Sequence, residues 1–129
     1  MNGKFLLDTN IVSALFKDDP AIHERLTQRP MVLVSSVVLG ELYYGAQKSS
    51  RLDKNLRQIN RFLTTAAVLE SDAETAYEYG LLRQELRIKG RPIPENDIWI
   101  AAAARQHDLT LVSRDRHFAE VDNLRWEQW

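Results

Sequence analysis

The 129-residue chain has the length of one ordinary domain, and with 44% hydrophobic and 27% charged residues it reads as globular and soluble, neither disordered nor fibrous. Its 17 Lys and Arg against 18 Asp and Glu leave a net charge of −1, so no overall basic field marks a nucleic-acid binder, and a basic surface has to be local. The chain has no Cys, which excludes disulfide frameworks, thiolate metal sites and cysteine nucleophiles together.

In chain order, "KFLL" (4–7) predicts a short buried strand, and a helix follows near 10–17 until Asp18, Asp19 and Pro20 stop it. The apolar stretch after Lys4 is too short for a signal sequence and no later segment approaches the length of a bilayer crossing, so a cytoplasmic protein without membrane association is expected. A second helix is expected over 21–28. "MVLVSS" (31–36) repeats the arrangement, with a β-branched run leading to Ser35 and Ser36 at the N-cap of a helix that reaches Gln47. Leu52, Leu56, Ile59, Phe62 and Leu63 recur at helical spacing, and Val68 and Leu69 read as a short strand. Ser71 and Glu74 then form an S-x-x-E capping box for a helix ending at Gly90, beyond which Pro92 and Pro94 forbid continuation.

"ENDIWIAAAARQHD" (95–108) has an Ala-rich interior of high helix propensity, "LTLVS" (109–113) is a further buried strand, and "LRWEQW" (124–129) is the expected last strand, finished by Trp126 and Trp129. Strands separated by helices require crossovers, which predicts one α/β domain over 1–129 with a central, mainly parallel sheet between two helical layers. In such sheets ligands bind beyond the carboxyl ends of the strands, and Asp8 stands at one of them.

Three more acids stand out by context. Asp115 follows the strand 109–113 by two residues, Glu41 interrupts the apolar helix "VVLGELYYGA", and Asp97 begins the Ala-rich helix. Each has a bland reading: Asp8 as a strand-end turn residue, Asp97 as a helix-start cap, Glu41 as a surface position of its helix, Asp115 as a solvated loop acid beside Arg114 and Arg116. Together the four would repel one another strongly unless a cation joined them. An oxygen-only donor set without Cys or paired His favours Mg²⁺ or Mn²⁺ over zinc, ions that suit phosphodiester hydrolysis by a metal-activated water. Thr9, Asn10, Ser36 and Ser113 are placed to hold those carboxylates and their waters.

Arg51, Lys54, Arg57 and Arg61 share one helical face; a solvated stripe is the default reading and a phosphate-tracking surface for RNA the sharper one. Arg83, Arg87, Lys89 and Arg91 offer a second patch. His23, His107 and His117 lack metal-ligand spacing and read as ordinary surface or packing residues, with His117 alone near the expected site. Tyr43, Tyr44 and Trp99 read as core or dimer-interface residues.

"LLDTNIVS", "SSVVLGELYYG", "PENDIWIAAAA" and "LTLVSRDRHF" resemble the four acidic motifs of PIN-domain ribonucleases, specifically the VapC-type toxins of bacterial toxin–antitoxin pairs. The resemblance spans nearly the whole chain in the same motif order; each motif alone is weak, and the four together are specific. It places Asp8, Glu41, Asp97 and Asp115 at the family's acidic positions and Asn10 and Ser113 at its polar supporting positions. It implies a three-layer α/β/α PIN-like fold, Mg²⁺- or Mn²⁺-dependent endoribonuclease activity, a homodimer, and inhibition by a cognate antitoxin in a hetero-oligomer. Where many relatives carry a further acid two residues after the last Asp, this chain has His117. Two rivals are weighed against this reading. A phosphotransfer domain would want a second acid at position 10 and a late strand-end Lys, which Asn10 and "LVSRD" do not supply. A catalytically inactive module whose acidic pocket grips a basic partner is the other.

Overall fold

The computed structural model describes residues 3–129. Five short strands, β1 (Lys4–Leu7), β2 (Met31–Ser35), β3 (Ala67–Leu69), β4 (Thr110–Val112) and β5 (Trp126–Glu127), form one sheet in the order β3-β2-β1-β4-β5. Every pairing is parallel, with Phe5 opposite both Val32 and Thr110. The six helices are α1 (Thr9–Phe16), α2 (Pro20–Leu26), α3 (Ser36–Gln47), α4 (Leu52–Phe62), α5 (Ala73–Lys89) and α6 (Glu95–Gln106), and a 3-10 turn covers Arg116–Glu120.

The order of strands fixes where a site belongs. The chain steps outward from β1 to β2 and β3, then returns across the sheet to β4 on the other side of β1. Right-handed crossovers in these two opposite directions put α1 to α4 on one face and α5 with α6 on the other, giving the expected three layers. The reversal lies between β1 and β4, and a crevice opens there beyond the carboxyl ends of the strands. Asp8 leaves β1 into that crevice, its backbone N–H donating to the Val112 carbonyl of β4 at 2.9 Å.

The core explains why the strands hold despite their length. Leu6, Leu7, Val34, Leu111 and Val112 are buried strand residues, covered by Ile11, Val12, Val38 and Ile59 from one side and by Leu82, Ile98, Ala101 and Ala104 from the other. Strands buried on both faces read as continuous apolar runs instead of alternating patterns, which is what β1, β2 and β4 show. The Ala residues of α6 let that helix lie close to its neighbours, and all of Ala101 to Ala104 are buried.

Helix ends follow local chemistry. Gly90 closes α5 in the left-handed region at φ 72°, where a residue without Cβ is unstrained, and the Arg91 N–H reaches back to the Leu86 carbonyl at 3.0 Å. Several boundaries differ from the sequence-based expectation. α1 stops at Phe16, with Asp18 in the left-handed region at φ 59°, and Pro20 opens α2 at its first turn, where a missing N–H costs nothing. The box at the start of α5 is formed by Asp72 and Thr75 in place of Ser71 and Glu74, because Thr75 is buried and its hydroxyl also bonds Gln106 Oε1 of α6 at 2.5 Å. The expected strand 124–129 shrinks to Trp126–Glu127, and Trp129 lies beyond it, packed edge-on against Phe5 with ring centroids 5.1 Å apart.

Candidate active site

Asp8 ends β1 and is the N-cap of α1, with Oδ1 accepting from the Thr9 N–H at 2.8 Å. Its other oxygen, Oδ2, accepts the Ser113 hydroxyl at 2.6 Å and lies 3.5 Å from Asn10 Nδ2. Ser113 has no exposed surface, and its oxygen also accepts from Asn10 Nδ2 at 3.3 Å and from the Asp115 N–H at 3.0 Å. Asn10 completes the link by accepting the Arg114 N–H at 3.1 Å. The end of β1 and the end of β4 are thus tied by side chains as well as by the sheet.

Glu41 enters from α3, half-buried, one and a half turns in from the strand end. Thr9 donates its hydroxyl in a short hydrogen bond to Oε1, and Asn96 of α6 donates to Oε2 at 3.2 Å. Asp97, in the first turn of α6, is not the cap of that helix; Pro94 takes that position without a side-chain bond, and Asp97 turns instead to His117. Asp115 caps the 3-10 turn by accepting the His117 N–H at 2.9 Å. His117 Nδ1 then stands 3.1 Å from Asp97 Oδ2 and 2.8 Å from Asp115 Oδ1.

The structure therefore brings all four predicted acids to one place, from four different elements. Their charges act on one another there. Burial pushes the Asp8 carboxyl up to about 6; the bonds from Ser113 and the Thr9 backbone pull it back, and the charges of Asp97 and Glu41 add to the rise. Asp97 is raised as well, chiefly by burial, with Asp115 and Glu41 adding to it and His117 opposing. His117 is raised in turn, its hydrogen bond to Asp97 being the main cause. Carboxylates that resist ionisation because they are crowded and buried are relieved by a bound cation. The donor set is thus suited to a divalent metal: Asp97, Asp115 and His117 alone offer one ligand atom each, all within 4.8 Å of one another.

Of the supporting residues expected from sequence, Thr9, Asn10 and Ser113 bond the acids directly. Ser36 is the first residue of α3 and makes no hydrogen bond to them; the cap is Ser35, whose Oγ accepts from the Val38 N–H at 3.2 Å. Two residues of the site escape sequence reasoning. Asn96 is visible there only as the neighbour of Asp97, and His117 passes for an ordinary surface or packing residue when ligand spacing along the chain is the criterion. Folding across twenty positions, not local spacing, sets His117 between two acids.

Arg51, Lys54, Arg57 and Arg61 are all exposed on or beside α4. An open cleft of about 420 Å³ runs from Thr9 and Glu41 to Lys54 and Gln58, and a neighbouring depression continues it past Lys54 to Arg57 and Arg61. Among the described residues these four cations form no ion pair, whereas Arg83, Lys89 and Arg91 of the second patch pair with Glu95, Asp122 and Glu120. Of the aromatics, Tyr43 packs on the core, Trp99 stacks on Tyr79 at 4.0 Å, and Tyr44 is 66% exposed.

Comparison with known proteins places this geometry. The PIN domain family matches residues 5–124. The chain is 42% identical to Ribonuclease VapC2 of Haemophilus influenzae and 41% identical to the tRNA(fMet)-specific endonuclease VapC of Shigella flexneri, each over 98% of both chains. Its fold superposes on the crystal structure of VapBC2 from Rickettsia felis, bound to a DNA fragment from their promoter, with a TM-score of 0.92 and 33% identity over 98% of both chains.

Proposed function

The chain belongs to the VapC ribonucleases of the PIN-domain family, and from that premise we propose that Asp8, Glu41, Asp97 and Asp115 are the carboxylates with which it hydrolyses RNA. The protein is a metal-dependent endoribonuclease, the toxin of a toxin–antitoxin pair, and its partners are an antitoxin protein and RNA. The catalytically inactive module is not favoured, since relatives this similar over their whole length carry the names of nucleases.

The observation that carries the site assignment is the convergence of four acids from β1, α3, α6 and the β4 exit on the crevice where the strand order reverses. The four would hold Mg²⁺ or Mn²⁺, and a divalent ion so placed supplies an activated water for attack on phosphorus and a counter-charge for the leaving oxygen. The chain's own residues prepare that chemistry. Ser113 and Asn10 fix the Asp8 carboxylate, and Thr9 and Asn96 fix Glu41, so neither acid has to be ordered when a cation arrives. Lys54, Arg57 and Arg61, with Arg51 beside them, form no ion pair among the described residues and would track the phosphates of RNA toward Glu41 along the cleft between α1, α3 and α4.

A second copy of the chain is a further expected partner, and Tyr77, Leu81 and Ile88, exposed on one face of α5, offer an apolar surface for it. The described residues contain no helix long and apolar enough to cross a membrane.

The test is cleavage of transfer RNA, the substrate class in the name of the Shigella flexneri relative, by protein stripped with EDTA and resupplied with Mg²⁺ or Mn²⁺. Wild type cleaves only with metal, and Asp8→Asn and Asp97→Asn proteins that keep their fold by circular dichroism do not. Equal cleavage by the variants overturns the assignment.

A further inference from the structure

Beyond the four carboxylates lies a nitrogen donor whose position the acid-only reading leaves unused. His117 Nδ1 is 2.8 Å from Asp115 Oδ1 and 3.1 Å from Asp97 Oδ2, with the imidazole half exposed at the mouth of the crevice. Two adjacent ligands on an octahedral ion with bonds near 2.1 Å sit about 3 Å apart, so these separations are those of neighbouring coordination positions as much as of hydrogen bonds. The side chain is also held in place through its own backbone, whose N–H is bonded to Asp115 Oδ1 at 2.9 Å. The ion pairs that Asp97 and Asp115 make among the described residues are both with this imidazole.

We propose that His117 Nδ1 is a direct metal ligand beside Asp97 and Asp115, making this side of the site a mixed nitrogen and oxygen set that takes Mn²⁺ in preference to Mg²⁺. The proposal rests on the acid cluster being a metal site and names the ion that site selects. Its chemistry is that of the donors. Mg²⁺ is small and hard and keeps to carboxylate and water oxygens, whereas imidazole suits the divalent transition ions. An all-carboxylate site discriminates weakly between Mg²⁺ and Mn²⁺; replacing one oxygen by nitrogen penalises Mg²⁺ selectively. The competing role for the same geometry is a fixed positive charge: a protonated imidazole bridging Asp97 and Asp115 and standing outside the coordination sphere.

Pulsed electron paramagnetic resonance of the Mn²⁺-loaded full chain, grown with ¹⁵N-histidine, separates the two. A nitrogen coupling of the strength of a directly bonded imidazole, retained in His23→Gln and His107→Gln proteins and lost in His117→Gln, is the expected result. Calorimetric titration of the same proteins with MnCl₂ and MgCl₂ should show the wild-type preference for Mn²⁺ falling by about tenfold or more in His117→Asp, whose donors are all oxygen. His117 lies on the surface, and unchanged thermal unfolding of the metal-free variants establishes that they fold. Tight Mn²⁺ binding without nitrogen coupling, or with a preference unchanged in His117→Asp, overturns the role of His117 and leaves the carboxylate site standing. Failure of the wild type to bind Mn²⁺ at all overturns the carboxylate site, and the proposal with it.

Discussion

The Ser113 hydroxyl donates to Asp8 Oδ2 at 2.6 Å across 105 positions of sequence, and both side chains are buried. That bond joins the ends of β1 and β4 at the point where the sheet reverses. Ser113→Ala leaves the Asp8 oxygen without its strongest donor and should cost about 1–3 kcal/mol in metal-free protein, read from urea unfolding. Cleavage should fall by roughly 10- to 100-fold, the usual effect of removing a group that orients a metal-binding carboxylate. Stability and activity both at wild-type levels would show that the bond positions nothing.

Asp8 makes metal-free stability depend on pH in a direction opposite to that of most acids. Its carboxyl is held at about 6 in the folded protein against an ordinary 3.8, so the folded state binds the proton more tightly than the unfolded state does. The resulting stabilisation is complete below pH 4 and is lost as pH rises through about 6, to the extent of roughly 2–3 kcal/mol. Asp8→Asn removes this dependence. The difference in unfolding free energy between variant and wild type, measured in EDTA, should therefore shift in favour of the variant between pH 4 and pH 7; a difference that stays flat contradicts the buried, protonated carboxyl.

Divalent metal should reverse that order at neutral pH. An ion bound only by the native state stabilises it by about 2.7 kcal/mol at a concentration a hundredfold above its Kd. Differential scanning fluorimetry of wild type should show Tm rising with Mn²⁺, and Asp97→Asn, which removes a charge from the centre of the cluster, should lose most of the rise. Equal shifts in the two proteins would place the ion elsewhere.

The basic stripe on α4 should act on binding and not on chemistry. Arg57→Ala and Arg61→Ala are expected to weaken RNA binding and to reduce the salt dependence of log Kd by about 0.7 for each phosphate left without its cation, with kcat at saturating RNA unchanged. Filter binding across a salt series decides this. A lower kcat with the salt slope unaltered would remove the stripe from the RNA path.

Arg105 tests the scaffold independently of the site. Its side chain is 9% exposed, and it reaches Glu78 at 3.3 Å, Glu85 at 2.9 Å and the Asp122 carbonyl at 3.1 Å, joining α6 to α5 and to the loop before β5. Arg105→Ala removes these bonds, though Glu78 and Glu85 still reach water, and should cost about 1–2 kcal/mol by chemical denaturation while leaving the activity per folded molecule intact.

The sequence exposes most of the framework because strands buried on both faces are continuous apolar runs and because a carboxylate at the end of such a run needs a reason. Asp8 and Asp115 are legible in that way, while Glu41 inside α3 and Asp97 at the start of α6, with Ser113 and Asn10, become legible as a set only through the resemblance of the four motifs. What stays hidden depends on neighbours brought from far along the chain. His117 follows Asp115 by two residues, but its role comes from Asp97, which the fold delivers on a different helix. The start of α5 goes to Asp72 and Thr75 because Gln106 of α6 adds bonds to both, a preference that no four-residue window contains. The last strand stops at Glu127 because Trp129 packs on Phe5 and its carbonyl accepts from Arg114 Nε at 2.7 Å, leaving the ladder.

The order of strands also sets the order in which the crevice can be put together as the chain is made. Asp8 is made 105 residues before Ser113, its hydrogen-bond partner, and β4, which Ser113 follows, can take its place beside β1 only after β2 and β3 have been made. A nascent chain that has not reached β4 therefore carries Asp8 without the strand that closes the crevice beside it. The crevice between β1 and β4 cannot form until β4 has been made, and a partner that recognises the assembled crevice has nothing to bind before then.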